Sequence, residues 1–346
     1  MAPIQDSATR PALKGPKAFA CFFPSLLMGF LSPAISAAEP TNSMQSFMAQ
    51  RGYQAIHMER KTENRFLIRG KLNDVRTVFA VDTGANVSVV DFHRARKLPE
   101  LGIDKGVRGP FGFHAEGLKI VAMTCMDLNG VVVSNQPARV LNLHHEMGIA
   151  TGSNIPLTSP ETRDVVLGID FLRDTHALLD CGTLTLYLRG QQPGLELQEN
   201  MEKSFELSGY VSVQLRYSRH RLPCLPVVIN GIETELLLDT GGSYSVLESG
   251  KADDFHISMS NPIGKMGDVG ARQTALYFAT VSSLKIGKCE LRNFPIGMVH
   301  FKSAGSDKPA DQWLGTGSIG PDLLGATRAL IDCSSGKLYL RPGEGK

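Results

Sequence analysis

The sequence predicts an all-β protein made of two similar lobes. Three observations predict it. Apolar runs are short and are interrupted by turn formers, with Gly 35 and Pro 19 among 346 residues, which is the texture of strands and turns. An apolar run ending in Asp-Thr-Gly occurs twice, at Asp82-Thr83-Gly84 and at Asp239-Thr240-Gly241. Each half also closes on the same pattern, Ala-Leu, an apolar residue, Asp-Cys, then Leu-Tyr-Leu-Arg.

In chain order, the N-terminus reads as an export signal. Arg10, Lys14 and Lys17 precede an apolar stretch at 18–31, and small residues follow at Ser36, Ala37 and Ala38. Basic, apolar and small-residue regions in that order are the pattern of a cleaved signal peptide, here 1–38. The apolar stretch is short against the roughly 20 residues of a membrane span. The expectation is an exported chain, periplasmic or secreted, with no stable membrane span after signal removal; the alternative is an uncleaved N-terminal anchor. Residues 39–61 read as a polar lead-in, 62–190 as the first lobe, 191–205 as a linker and 206–346 as the second lobe.

Inside each lobe the elements repeat. Apolar runs flank Asn73-Asp74 and Asn230-Gly231, which predicts a β-hairpin at each place. The turn ends eight residues before the motif Asp both times, at Asp74 and at Gly231. After the motif, Ala85 to Val90 matches Gly242 to Leu247 in pattern, and Pro137 and Pro295 hold like positions in later strands. Val165 to Leu172 precedes Ala177 to Cys181, as Ser318 to Leu324 precedes Ala329 to Cys333. A two-copy repeat of this length means two similar domains.

Composition narrows the function classes. A net charge of +2, with 20% charged residues, gives no electrostatic footprint for nucleic acid. Five cysteines follow the signal: Cys125, Cys181, Cys224, Cys289 and Cys333. Their spacing fits no zinc pattern, so they read as small buried side chains with one disulfide allowed, and an odd count leaves at least one thiol unpaired. No cofactor and no metal are expected.

The chemistry points to the two motif carboxylates. Asp82 and Asp239 each end a strand that reads as buried, where a lone charge is costly. Gly84 and Gly241 let the backbone turn and another chain approach closely. Thr83 and Thr240 can hydrogen-bond across to the other copy's backbone. If the halves pack about a pseudo-two-fold axis, the carboxylates meet and share a proton. One can then act as base on a water while the other donates a proton to a carbonyl.

These residues resemble the retropepsin-like aspartic proteases, with two tandem copies in one chain, as in bacterial-type exported aspartyl proteases. Asp82-Thr83-Gly84-Ala85 with Ser88, and Asp239-Thr240-Gly241-Gly242 with Ser245, carry the resemblance. Val166-Leu167-Gly168 and Ser318-Ile319-Gly320 match the family's second signature. The resemblance implies two β-barrel lobes related by a pseudo-two-fold axis, and catalysis by Asp82 and Asp239 with Thr83, Gly84, Thr240 and Gly241 in support. It also implies flaps over a cleft, at Phe111, Gly112 and Phe113 and at Val269, Gly270 and Ala271. The implied function is an aspartic endopeptidase that acts on peptide or unfolded protein as a monomer. The alternative is a non-catalytic peptide-binding or envelope interaction protein using the same cleft.

Other candidates have plainer readings. His144-His145-Glu146 reads as a solvated loop, Asp170 and Asp322 as caps of short helices, and Asp180 and Asp332 as turn residues. Ser88 and Ser245 have no positioned His, which argues against a serine nucleophile. Trp313 is assigned no role.

Overall fold

The computed structural model describes residues 41–60, 64–104, 107–108, 114–143, 163–190, 194–218, 220–267, 273–301 and 316–341. Both predicted hairpins form. Leu72 pairs with Val75 around Asn73 and Asp74, at φ 47 and 64. Ile229 pairs with Ile232 around Asn230 and Gly231, at φ 48 and 91. Two consecutive left-handed residues make the tight turn whose twist matches that of the strands, and Asn, Asp and Gly tolerate that conformation best.

Each hairpin opens a closed barrel of six strands. In the first, Phe66–Leu72 pairs with Val75–Val81, then Val165–Leu167, Val89–Asp91, Val131–Leu141 and Leu118–Leu128 follow in spatial order. Leu118–Leu128 returns to Phe66–Leu72 through Lys71–Asp127 and Leu72–Met126 pairing, which closes the ring. The second barrel repeats the order with Pro223–Ile229, Ile232–Leu238, Gly317–Ile319, Val246–Glu248, Cys289–Val299 and Gln273–Ile286. Val228–Lys285 and Ile229–Leu284 pairing closes it. Pro223–Ile229 alternates buried and half-buried side chains along its length, as a strand with one face on a core must. Phe66, Ile68, Phe79 and Met123 fill the first barrel, and Leu225, Ile229, Leu236 and Val281 the second, all fully buried.

A third sheet joins the halves. Its order is Gln54–His57, Thr185–Leu188, Leu178–Asp180, Leu330–Asp332, Lys337–Leu340, Val211–Gln214. Three strands come from each half, and the order reads the same from either edge. At the centre Leu179 opposes Ile331 in antiparallel register. Cys181 N donates to Ala329 O and Cys333 N to Ala177 O, both at 2.9 Å. The repeated closing patterns of the sequence are therefore the strands that join the halves. A continuous buried cluster runs through both barrels and this sheet.

The segments read as a polar lead-in and a linker carry ordered elements. Thr41–Ala49 and Leu195–Leu207 are helices. Met48, Met201 and Phe205 pack with Tyr53, Tyr187 and Tyr339 against the joining sheet, and the Phe205 ring meets Tyr339 edge-on at 5.0 Å. A few apolar side chains at helical spacing suffice to cover a sheet face when the remaining residues face water. The proposed signal, 1–38, lies outside the described residues. Among the described residues no helix is long and apolar enough to cross a membrane.

All five described cysteines are free; Cys181, Cys289 and Cys333 are buried, Cys224 is half-buried and Cys125 is exposed. The reading of small buried side chains therefore fits three of the five.

Leu179 is fully buried at the centre of the joining sheet. Leu179→Ala should lower the stability of the whole unit by about 2–5 kcal/mol, read as a lower midpoint in urea unfolding. A wild-type midpoint would remove the joining sheet as a source of stability.

Candidate active site

Each motif sits where a barrel strand ends. Val81 and Leu238 are fully buried, and the next residue leaves its strand. Asp82 N donates to Leu167 O at 3.0 Å and Asp239 N to Ile319 O at 2.9 Å. The chain then passes over the end of the neighbouring short strand and returns as Val89–Asp91 or Val246–Glu248. This crossing explains the glycine of the second signature. A Cβ at Gly168 would lie 2.6 Å from the carbonyl carbon of Val87, and one at Gly320 would lie 2.5 Å from that of Tyr244. No side chain fits there.

Asp170 and Asp322 hold these loops. The Ser88 hydroxyl donates to Asp170 Oδ1 at 2.7 Å and the Ser88 amide to Oδ2 at 2.9 Å. Ser245 donates to Asp322 Oδ1 from its hydroxyl at 2.7 Å and its amide at 2.8 Å. Each serine oxygen also accepts from Gly168 N or Gly320 N. This corrects the reading of Asp170 and Asp322 as helix caps in part: Gly168 and Gly320 occupy the cap positions and both carboxylates hold the motif loops, while Asp170 Oδ1 also accepts from Phe171 N at 2.8 Å in the first turn of its own helix. It also gives Ser88 and Ser245 a bracing role. Asp180 and Asp332 do accept from the turns that follow them, at Gly182 N and Thr183 N and at Ser334 N and Ser335 N.

The two motifs meet through their threonines. Thr83 Oγ1 donates to Leu238 O at 2.7 Å and accepts from Thr240 N at 3.1 Å. Thr240 Oγ1 donates to Val81 O at 2.8 Å and accepts from Thr83 N at 2.9 Å. Each hydroxyl uses both its roles on the other half's backbone. All four bonds are buried, so water competes for none of them.

This exchange places each carboxyl against the opposite glycine. A Cβ at Gly241 would lie 2.1 Å from Asp82 Cγ, and a Cβ at Gly84 would lie 2.5 Å from Asp239 Oδ1. The same Gly84 point is 3.2 Å from Asp82 Oδ1, so the two carboxyl oxygens can be no further apart than those distances together allow. Gly84 N donates to Asp82 Oδ1 at 2.8 Å. Gly241 N and Gly242 N both donate to Asp239 Oδ1 at 3.0 Å.

The electrostatics follow from that packing. Burial pushes the Asp239 carboxyl up to about 7, and the neighbouring Asp82 charge adds to the rise. Burial also raises Asp82, while the charges of Arg163 and Arg65 and the Gly84 amide pull it back. Neighbouring carboxyls cannot both ionise cheaply, so ionisation of one opposes that of the other. An acid and a base side by side can activate a water and protonate a carbonyl oxygen in one step.

The predicted flap residues Phe111, Gly112, Phe113, Val269, Gly270 and Ala271 lie outside the described residues, as do His144, His145, Glu146 and Trp313. The strands on either side of the first two groups are described. Val107–Arg108 pairs with His114–Ala115, and Gly264–Gly267 pairs with the start of Gln273–Ile286. Sequence reasoning missed Asn64, Arg65 and Arg163. None belongs to a motif: Asn64 and Arg65 bond carbonyls of the second motif loop and the Arg163 charge acts on Asp82, relations that arise only when segments distant in sequence pack together. Comparing the two copies offers one signal, because the position of Arg65 in the second copy is occupied by Leu222.

Comparison with known proteins gives a match over part of the second half. The family model described as Aspartyl protease matches residues 225–322, which span the second Asp-Thr-Gly and its closing signature. No curated protein matches the chain. Among solved structures, the aspartic proteinase from Irpex lacteus is similar at 12% sequence identity and a TM-score of 0.47, covering 84% of this chain and 98% of that one.

Thr83→Val keeps the shape and removes the hydroxyl. It leaves Leu238 O and Thr240 N buried without partners and should cost about 2 kcal/mol or more. Thr83→Ser, which keeps the hydroxyl, should lose much less. Thermal unfolding of both variants checks the difference, and equal losses would refute the exchange as a source of stability.

Proposed function

We propose that this chain, whose residues 225–322 match the Aspartyl protease family model, is an aspartic endopeptidase that hydrolyses peptide bonds with a water activated by Asp82 and Asp239. The observation that carries the reading is the approach of the two carboxyls across the threonine exchange, where burial and the Asp82 charge push the Asp239 carboxyl up to about 7. Asp82 accepts a proton from water, and the water oxygen bonds to the scissile carbonyl carbon. The Asp239 proton passes to the carbonyl oxygen. The tetrahedral intermediate then collapses, the C–N bond breaks and the amine leaves with a proton returned by the pair. No covalent intermediate on the protein is needed, and the residues of the pair require no cofactor for this sequence.

The substrate class is a peptide or unfolded protein in extended form, because exposed strand edges recruit a partner by main-chain pairing. Thr83, Gly84, Thr240 and Gly241 support the pair. The chain acts as a monomer after export, since each molecule carries both motifs.

Asp82→Asn and Asp239→Asn should each lower turnover on an unfolded-protein or peptide-library substrate by roughly 10²–10⁴-fold while unfolding like the wild type. Equal cleavage by wild type and both variants would sink the proposal. Tight peptide binding without cleavage by the wild type would instead establish a binding protein.

The pH dependence has a definite sign. The acid must be protonated to donate, and Asp239 loses its proton as the pH rises through about 7. Turnover should therefore fall at alkaline pH, approaching ~tenfold per unit above that point, in a pH–rate profile on a peptide without titrating groups. A rate that climbs steadily above pH 8 would contradict Asp239 as the acid.

A further inference from the structure

The two residues before strand Phe66–Leu72 reach across to the other half. Asn64 Nδ2 donates to Ser243 O at 2.8 Å, and Arg65 Nε donates to Gly241 O at 3.0 Å. Arg60 in turn donates to Asn64 Oδ1. Both acceptors lie in the loop of the second Asp-Thr-Gly, so the first half holds that loop by its carbonyl oxygens. The loop's amides point the other way, Gly241 N and Gly242 N both onto Asp239 Oδ1.

Gly241 C=O and Gly242 N–H are the two ends of one peptide unit. A guanidinium on the oxygen end makes a charge-assisted bond. Hydrogen bonds in such a chain polarise one another, so donation from the nitrogen end is strengthened. Arg65 thus reaches Asp239 through a single peptide plane, and its charge acts on both carboxyls.

The second copy cannot return this contact. The position 157 residues after Arg65 is Leu222, which is 1% exposed and belongs to the core cluster. The leucine side chain carries no donor and no charge. Among the described residues, Arg163 and Arg65 act on Asp82 by their charge, and Asp82 and Arg65 act on Asp239. A symmetric pair of motifs therefore rests on asymmetric support from the first half.

We propose that Arg65 is a positioning residue of the Asp82–Asp239 pair: it fixes the orientation of the Gly241–Gly242 peptide and sets the pH at which the pair first loses a proton. This rests on the shared-proton reading of the pair, and the experiment separates the two. A cation withdrawn from a carboxyl pair raises the pH of ionisation, so the sign of the effect is upward.

The test uses the full chain and two readouts. Carboxyl carbon NMR titrations of Asp82 and Asp239, assigned with the Asn variants, report ionisation directly. A pH–rate profile on a peptide reports it through turnover. Arg65→Leu, which copies the second half, should raise the first ionisation and the acidic limb by about one unit. Arg65→Lys should recover most of that shift. If Arg65→Leu does not fold, Arg65→Gln, which keeps an amide donor for Gly241 O and loses the charge, should show the same upward shift. Folded Leu or Gln variants with unmoved carboxyl titrations would overturn the proposal, even if their turnover is low. A shifted titration in a protein that cleaves nothing would leave Arg65 its role and remove the peptidase reading.

Discussion

Two carboxyl groups are held together where water solvates them poorly, and much of the surrounding structure serves that arrangement. Removing an ionised carboxylate from water costs several kcal/mol even after relaxation. The cost is reduced when the pair keeps one proton, and when the remaining charge receives hydrogen bonds from Gly84 N, Gly241 N and Gly242 N. Those amides are available because the motif loops are pinned on both sides. Thr83 and Thr240 bind them to the opposite half, and Ser88 with Asp170, and Ser245 with Asp322, bind them to their own. The glycines at 84 and 241 are required by the same packing, since a β-carbon at either would occupy the place of the opposite carboxyl.

The joining sheet and the threonine exchange act on one interface at different points. The sheet sets the halves in antiparallel register about Leu179 and Ile331. The helices Thr41–Ala49 and Leu195–Leu207 cover it through Met48, Met201 and Phe205. The exchange then fixes the motif loops relative to each other with bonds of 2.7 to 3.1 Å. A buried hydrophobic sheet supplies affinity without direction, while directional hydrogen bonds supply the geometry.

Much of this was legible in the residues, for reasons that differ by element. The hairpins at Asn73-Asp74 and Asn230-Gly231 form as expected because left-handed turn residues are a local requirement. The reading of Asp180 and Asp332 as turn residues holds for the same reason. The helix-cap reading of Asp170 and Asp322 is incomplete because nearness in sequence suggests only a local partner, which Asp170 has in Phe171 N, whereas Ser88 and Ser245 lie some eighty residues away. The lead-in and linker looked polar because their helices bury only a narrow stripe. Arg65 gave no motif signal, since its partner Gly241 O is separated from it by 176 residues.

By itself the sequence determined the duplication, the strand-and-turn texture and the two Asp-Thr-Gly stretches at strand ends, because each depends on local chemistry repeated at a constant spacing. Only the tertiary structure decided which half supports which. The copies are alike at Asp-Thr-Gly and unlike at Arg65 and Leu222, and whether that difference matters depends on what lies across the interface. Packing puts a guanidinium on the Gly241 carbonyl and a buried leucine at the matching place. A contact between halves depends on three-dimensional distance, which the order of residues along the chain does not record.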